Sequence, residues 1–392
     1  MTIGFLVLRN TYFKFFGPVI EQALKSGHQV FCLHDYNQPK EGSKGYQFPD
    51  IERAPVFQNG KPLFLSFKSN EDFIEQALNA GVQAIVSIDF LKSHFFLQEK
   101  LKEKGIFWFS LQNGFDSGPL SGEHLEKPNK FFVYSPEWTE WMFDYLRKTG
   151  KTQEADFSVF KQKLNNKVEA VGFWPVEQQK LIDSEKVRNK WAIPNGKKVV
   201  LFLPFPFGSS LKKFWTKYVY GTRFFSKEND YNVCSSVKEF CEKNNCYLLV
   251  KSRQKDPVRN YLKKMADKVL YDEEFYPSTI MECLSVADIC FNFYSTAAIE
   301  AVSMSVPNVC IAPNVKDWKD IDNVFWQTIL EKEKDFFDFP GISYLKTIPE
   351  IIKELPQKTL SDFPLKREKQ IQYMQKFAAG NKFSFGKYCF RD

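Results

Sequence analysis

Short apolar runs alternate along the chain with longer stretches whose apolar positions recur at helical spacing. The runs predict strands over 3–8, 29–33, 84–88, 106–111, 130–134 and 167–172, with 63–66 ambiguous, and the periodic stretches predict helices over 18–26, 71–80, 90–104 and 136–149. Strand and helix in such alternation build a parallel sheet covered on both faces. A helix over 176–191 and the turn Ile193-Pro-Asn-Gly-Lys197 interrupt the pattern. It then resumes with strands over 198–203, 247–251, 269–271, 289–294 and 308–312 and helices over 232–244, 257–266 and 278–286. Residues 322–332, a helix near 348–355 and a last helix over 366–377 complete the chain. The fold class is therefore α/β, with two Rossmann-like doubly wound domains in tandem and a cleft expected between them. We place an N-terminal domain at 1–175, a linker helix and turn at 176–196, a C-terminal domain at 197–365, and a helix and tail at 366–392.

A chain of 392 residues is long enough for two cores of this kind. Apolar residues at 43% and charged residues at 26% set aside disordered and fibrous classes. The 41 Phe are read first as core filler and second as surfaces for sugars or lipids. The net charge of +7 is spread along the chain, so no nucleic-acid partner is indicated. A mildly basic surface with a Lys- and Phe-rich tail does suit anionic substrates or peripheral contact with anionic lipid.

Eight Cys occur without a CxxC pair, which argues against zinc, and Cys32, Cys290 and Cys310 fall in strand-like runs as buried free thiols do in a reducing compartment. The start of the chain has no basic region and turns polar at Arg9, as a first strand does and a signal peptide does not. No apolar run reaches the ~18 residues a membrane span needs. The expected location is cytoplasmic, at most peripheral to the inner face of a membrane.

In open parallel sheets ligands bind beyond the C-terminal ends of the strands, so those positions carry the candidate chemistry. In the second domain the run Ile289 to Tyr294 leads into Ser295 or Thr296 as a helix cap, small Ala297 and Ala298, and Glu300 one turn in. Such a turn offers backbone N–H groups to a phosphate, and Glu300 offers a carboxylate to ribose hydroxyls. Lys251 and Arg253 end another strand, where a nucleotide diphosphate needs charge neutralisation if no metal supplies it. Gly208 and Ser209 form a loop after a third strand, and Tyr276 beside Phe275 could stack on a base. The plain alternatives are a helix cap, solvated strand-end charges and core aromatics.

In the first domain Asn10, Gln112 and Asn113 are candidate acceptor ligands. His34, Asp35 and Asp89 are the candidate general bases, although a single Asp after a strand is more often a helix cap than a base. His94 and His124 read as surface positions. The lone Asp320-Ile-Asp322 lies past the nucleotide segment and is not assigned a metal; no metal and no cofactor are expected.

Five segments together, Ala287 to Ala301, Val250 to Pro257, Leu111-Gln-Asn-Gly114, Tyr134 to Trp138 and Val171-Gly-Phe-Trp-Pro175, resemble GT-B type glycosyltransferases. The nearest in character are the bacterial surface-polysaccharide and CDP-glycerol glycerophosphotransferase-like enzymes. The resemblance implies a nucleotide-activated donor bound mainly by the C-terminal domain and a glycan or lipid-linked acceptor bound by the N-terminal one. It further implies metal-independent transfer of a sugar or alditol phosphate. Such relatives often carry His-Pro where this chain has Lys251-Ser-Arg253, and His-Gly where it has Asn113-Gly114. Two other readings remain open at this point: a non-hydrolysing UDP-sugar 2-epimerase, although Arg9-Asn-Thr-Tyr12 is unlike that family's first loop, and a non-catalytic nucleotide-sugar-binding assembly protein.

Overall fold

The computed structural model describes residues 1–36, 51–90, 92–114, 123–148, 150, 152, 156–164, 166–205, 226–253, 256–312 and 334–380. The chain divides into two compact units, Met1–Gln178 together with Lys376–Asp392, and Gln179–Gln375.

Seven parallel strands form the sheet of the first unit: β1 (Thr2–Val7), β2 (Gln29–Asp35), β3 (Leu63–Phe67), β4 (Ala84–Ile88), β5 (Phe107–Leu111), β6 (Lys130–Val133) and β7 (Val168–Ala170). They lie in the order β3-β2-β1-β4-β5-β6-β7. The second unit repeats the scheme with β8 (Lys198–Phe202), β9 (Cys246–Lys251), β10 (Lys268–Leu270), β11 (Ile289–Asn292), β12 (Asn308–Ala312) and β13 (Ser343–Thr347), ordered β10-β9-β8-β11-β12-β13. The doubly wound class read from the pattern is thus the observed one. β13 was not foreseen, because Ser343-Tyr-Leu-Lys-Thr347 has too few apolar positions to stand out; it forms by pairing with β12.

Alternation along the second sheet sorts its residues into two cores. Val200, Phe202, Leu248, Val250 and Phe291 pack on one face with the helix Lys227–Lys243. Val199, Leu201, Leu249 and Cys290 pack on the other with Thr279–Val286. Free thiols at Cys32, Cys290 and Cys310 are buried as expected, and burial pushes each of them well above the ordinary thiol range.

Several helix bounds differ from the pattern for identifiable reasons. The helix expected over 176–191 is two pieces, Trp174–Leu181 and Ser184–Lys190. Asp183 divides them, its Oδ1 accepting the N–H groups of Glu185 (3.0 Å) and Lys186 (3.2 Å) as an N-cap. His94 and His124 are buried, contrary to their surface reading. His94 lies on the inner side of the helix His94–Lys102, 5.5 Å from the Trp108 ring, and His124 lies 5.0 Å from Phe95.

The first long helix begins at Phe13 and not at Pro18, which lies inside it. Proline has no N–H for the carbonyl four residues back, so Lys14 loses its helical donor. Gln178 Nε2 donates to Lys14 O at 2.7 Å in its place, and Trp174 Nε1 donates to Phe15 O at 3.1 Å. These bonds fix the segment leaving β7 onto that helix. Gln178→Leu should cost about 1–3 kcal/mol by removing the donor to the part-buried Lys14 carbonyl and the buried Pro175 carbonyl. In a Pro18→Ala background the restored N–H should remove the share due to Lys14 O and leave that of Pro175 O, which Gln178 Nε2 also reaches at 3.1 Å. Urea unfolding of the four variants measures the difference, and equal costs in both backgrounds would contradict this account.

The chain's last described residues return to the first sheet. Val171 bridges Gly380, where an added Cβ would sit 2.2 Å from the Gly172 nitrogen, so only glycine fits. Hence the residues from Lys376 belong with the first unit.

Candidate functional site

In each sheet the strand order reverses once, between β1 and β4 and between β8 and β11. The C-terminal ends of these strand pairs are the topological switch points, where doubly wound sheets leave a crevice for a ligand. In the second unit the residue run from Asn292 to Glu300 lies at that point.

The turn leaving β11 has a specific construction. Tyr294 is in the left-handed region (φ 37°), a costly conformation for an aromatic residue. It is held by its N–H on Cys310 Sγ (3.3 Å) and by its ring, edge-on to Phe337 at 5.2 Å. Ser295 is the capping side chain: its Oγ accepts the N–H of Ala297 at 3.2 Å, whereas Thr296 makes no side-chain cap bond. The helix Ala297–Ser303 that follows is short. Glu300 is 2% exposed and lies close enough to Cys290 to help raise that thiol, after burial itself.

The strand-end cations each meet a carboxylate that the sequence reading had not considered. Lys251, the last residue of β9, places Nζ 2.5 Å from Asp272 Oδ1. Leu270 is its register partner on β10, so Asp272 lies just past the neighbouring strand end, and adjacent strand ends could have revealed it. Arg253 reaches Asp256 Oδ2 at 2.6 Å but keeps a side chain 46% exposed. Nearby, the hydroxyl of Tyr261 donates to Asp230, and Arg259 Nε lies 3.7 Å from the same carboxylate. Burial outweighs both and pushes Asp230 up to about 6. Tyr276 and Phe275 are buried, with Thr279 Oγ1 accepting the N–H groups of Glu273 and Glu274 to shape their loop. Gly208 and Ser209 lie outside the described residues, as does Asp320-Ile-Asp322.

In the first unit, β4 and β5 end side by side and bring Asp89 to Asn113. Asp89 is half-buried in the left-handed region (φ 52°), and its Oδ1 accepts the Asn113 N–H at 3.2 Å. Asn10 lies at the end of β1, in the turn Asn10–Tyr12, and is 1% exposed. Gln112 is buried and engaged within the chain, accepting from Tyr134 N at 2.9 Å and donating to Gly114 O at 3.2 Å. His34 is fully buried, with the rings of Phe13 and Phe64 at 5.9 and 5.8 Å. Asp35 ends the same strand and is 8% exposed. Of the three acid–base candidates, Asp89 is the most accessible. Among the described residues no three His, Cys, Asp or Glu side chains are grouped to hold a metal, and no helix is long and apolar enough to cross a membrane.

Neither a protein-family profile nor any curated protein sequence matches the chain. Solved structures do. The wall teichoic acid polymerase TagF superposes with a TM-score of 0.57 at 13% identity, over 99% of this chain and 86% of TagF. The UDP-GlcNAc 2-epimerase from Neisseria meningitidis, solved bound to UDP-GlcNAc, gives 0.55 at 10% identity, over 99% of this chain and 97% of the epimerase. At such identities the likeness is one of fold: this chain has the two-domain GT-B architecture that both structures share.

Proposed function

We propose that this protein is a metal-independent glycosyltransferase, moving a sugar or an alditol phosphate from a nucleotide-activated donor to a surface glycan or lipid-linked acceptor in the cytoplasm. The observation that carries the proposal is the Tyr294–Ser295 turn at the switch point of the second sheet, with exposed Arg253 on the same C-terminal edge. The Ser295 hydroxyl and a guanidinium suit the charge that develops on a departing nucleotide phosphate. In this reading Asp89, whose carboxylate accepts the Asn113 N–H, takes the proton of an attacking acceptor hydroxyl. A lipid-linked acceptor would bring the protein to a membrane surface.

An epimerase is the second reading, favoured by a fold likeness almost equal to that of the polymerase. Incubation with UDP-GlcNAc and no acceptor separates the two, since only an epimerase would yield the manno epimer. The nucleotide site is tested by thermal shift with UDP, GDP, CDP, CMP and ADP. A ligand at about 100 times its Kd adds about 2.7 kcal/mol to the folded state, so at least one nucleotide should raise the melting temperature by several degrees. Arg253→Ala should reduce that rise. Melting unchanged by all five would refute the site.

A further inference from the structure

The turn that presents Ser295 is joined to a chain of side-chain hydrogen bonds running across three strands. Asn292 Oδ1 accepts the Ser295 N–H at 3.3 Å, and Asn292 Nδ2 donates to Asn308 Oδ1 at 2.5 Å. Asn308 Nδ2 in turn donates to Ser343 Oγ at 2.9 Å, and the Ser343 hydroxyl donates to the carbonyl of Phe337 at 2.8 Å. Asn292, Asn308 and Ser343 are each 0% exposed, so water cannot substitute for any member.

The sense of this relay is fixed from its far end. Phe337 offers only a carbonyl, so the Ser343 hydroxyl gives its single proton there and can only accept from Asn308. Asn308 therefore turns its amide nitrogen to Ser343 and its oxygen to Asn292. Asn292 must then give its own nitrogen, which leaves its oxygen for the Ser295 N–H. Phe337 meets the turn a second time through the ring contact with Tyr294, whose N–H is held by Cys310 on the intervening strand β12.

Asn308 begins β12 and Ser343 begins β13, and neither residue was singled out by the sequence. On the nucleotide-site reading given above, we propose that Asn308 and Ser343 are positioning residues. They set the turn 292–296 through Asn292, and thereby the placement of the Ser295 hydroxyl toward a ligand.

Two measurements on the full chain test this. Hydrogen exchange in Ser343→Ala should quicken at the Ser295 amide and its neighbours, with β9 and the helix Lys227–Lys243 unchanged, while Ser343→Thr keeps the wild-type pattern. This readout needs no ligand, and an unchanged Ser295 amide would overturn the relay. The second measurement is titration with UDP, GDP, CDP, CMP and ADP. The nucleotide that wild type binds should bind Ser343→Ala about tenfold more weakly, consistent with an unmet buried amide donor. Ser343→Thr should bind within about twofold of wild type, and so should Val237→Ala, which loosens the same unit's core without touching the relay. Equal weakening in Val237→Ala would reduce the relay to general stability. If wild type binds none of the five while exchange behaves as expected, the relay stands as a structural device, and both the nucleotide reading and the positioning role built on it fail.

Discussion

Acidification from neutral pH to about pH 4 is expected to remove about 3 kcal/mol of stability through His94 alone. The ring is 2% exposed and packs on Trp108 and Phe90. Burial first, and the neighbouring His124 second, lower its pKa from 6.5 to about 4. Between those two values the unfolded chain takes up a proton that the folded chain refuses. Stability is therefore intact above about 6.5, declines as the pH falls through that value, and has lost its full share near 4. His94→Phe keeps an aromatic ring and removes the titration. It should lie within about 1–2 kcal/mol of wild type at neutral pH and exceed it at about pH 4.5. Urea unfolding at both pH values gives the comparison, and parallel pH profiles for the two proteins would rule the explanation out.

Lys251→Met should destabilise the second unit by about 3 kcal/mol, because it removes the cation 2.5 Å from the Asp272 carboxylate. The Lys251 side chain is 10% exposed and that of Asp272 20%, so solvent compensates only in part. Asp272→Asn in the same chain removes the carboxylate charge that Lys251 faced and should recover at least half of the loss. The double variant also separates two roles for Lys251. Restored stability together with wild-type nucleotide affinity would make the lysine purely structural. Restored stability with weakened affinity would show that Lys251 shares its charge between Asp272 and a ligand phosphate.

The elements legible in the sequence are those whose apolar pattern is strong by itself. β4, β5, β8, β9 and β12 lie within a residue or so of their expected bounds, since a strand buried on both faces needs an uninterrupted apolar run. The turn after β11 was legible too, because small and hydroxyl residues between an apolar strand and a helix have few other uses. β13 and the helix Phe157–Leu164 were not, since neither is apolar enough to announce itself and each is stabilised by its neighbours. Pro18 misled the reading of its helix: the donor it lacks is supplied by Gln178, some 160 residues later.

By itself the sequence determined the doubly wound class, the repeat of that class in two parts, and which strand ends carry polar residues. These follow from local periodicity and from the requirement that each strand bury both faces. Only the tertiary structure decided which of those polar residues have partners. Lys251 and Arg253 read as free cations until Asp272 and Asp256 are seen beside them, and Gln112 reads as a ligand until Tyr134 is seen to use it. Asn308 and Ser343 carried no signal at all, because their hydrogen bonds run across strands and not along the chain. Strand order sets such lateral neighbours, and strand order is fixed by the packing of helices far apart in sequence.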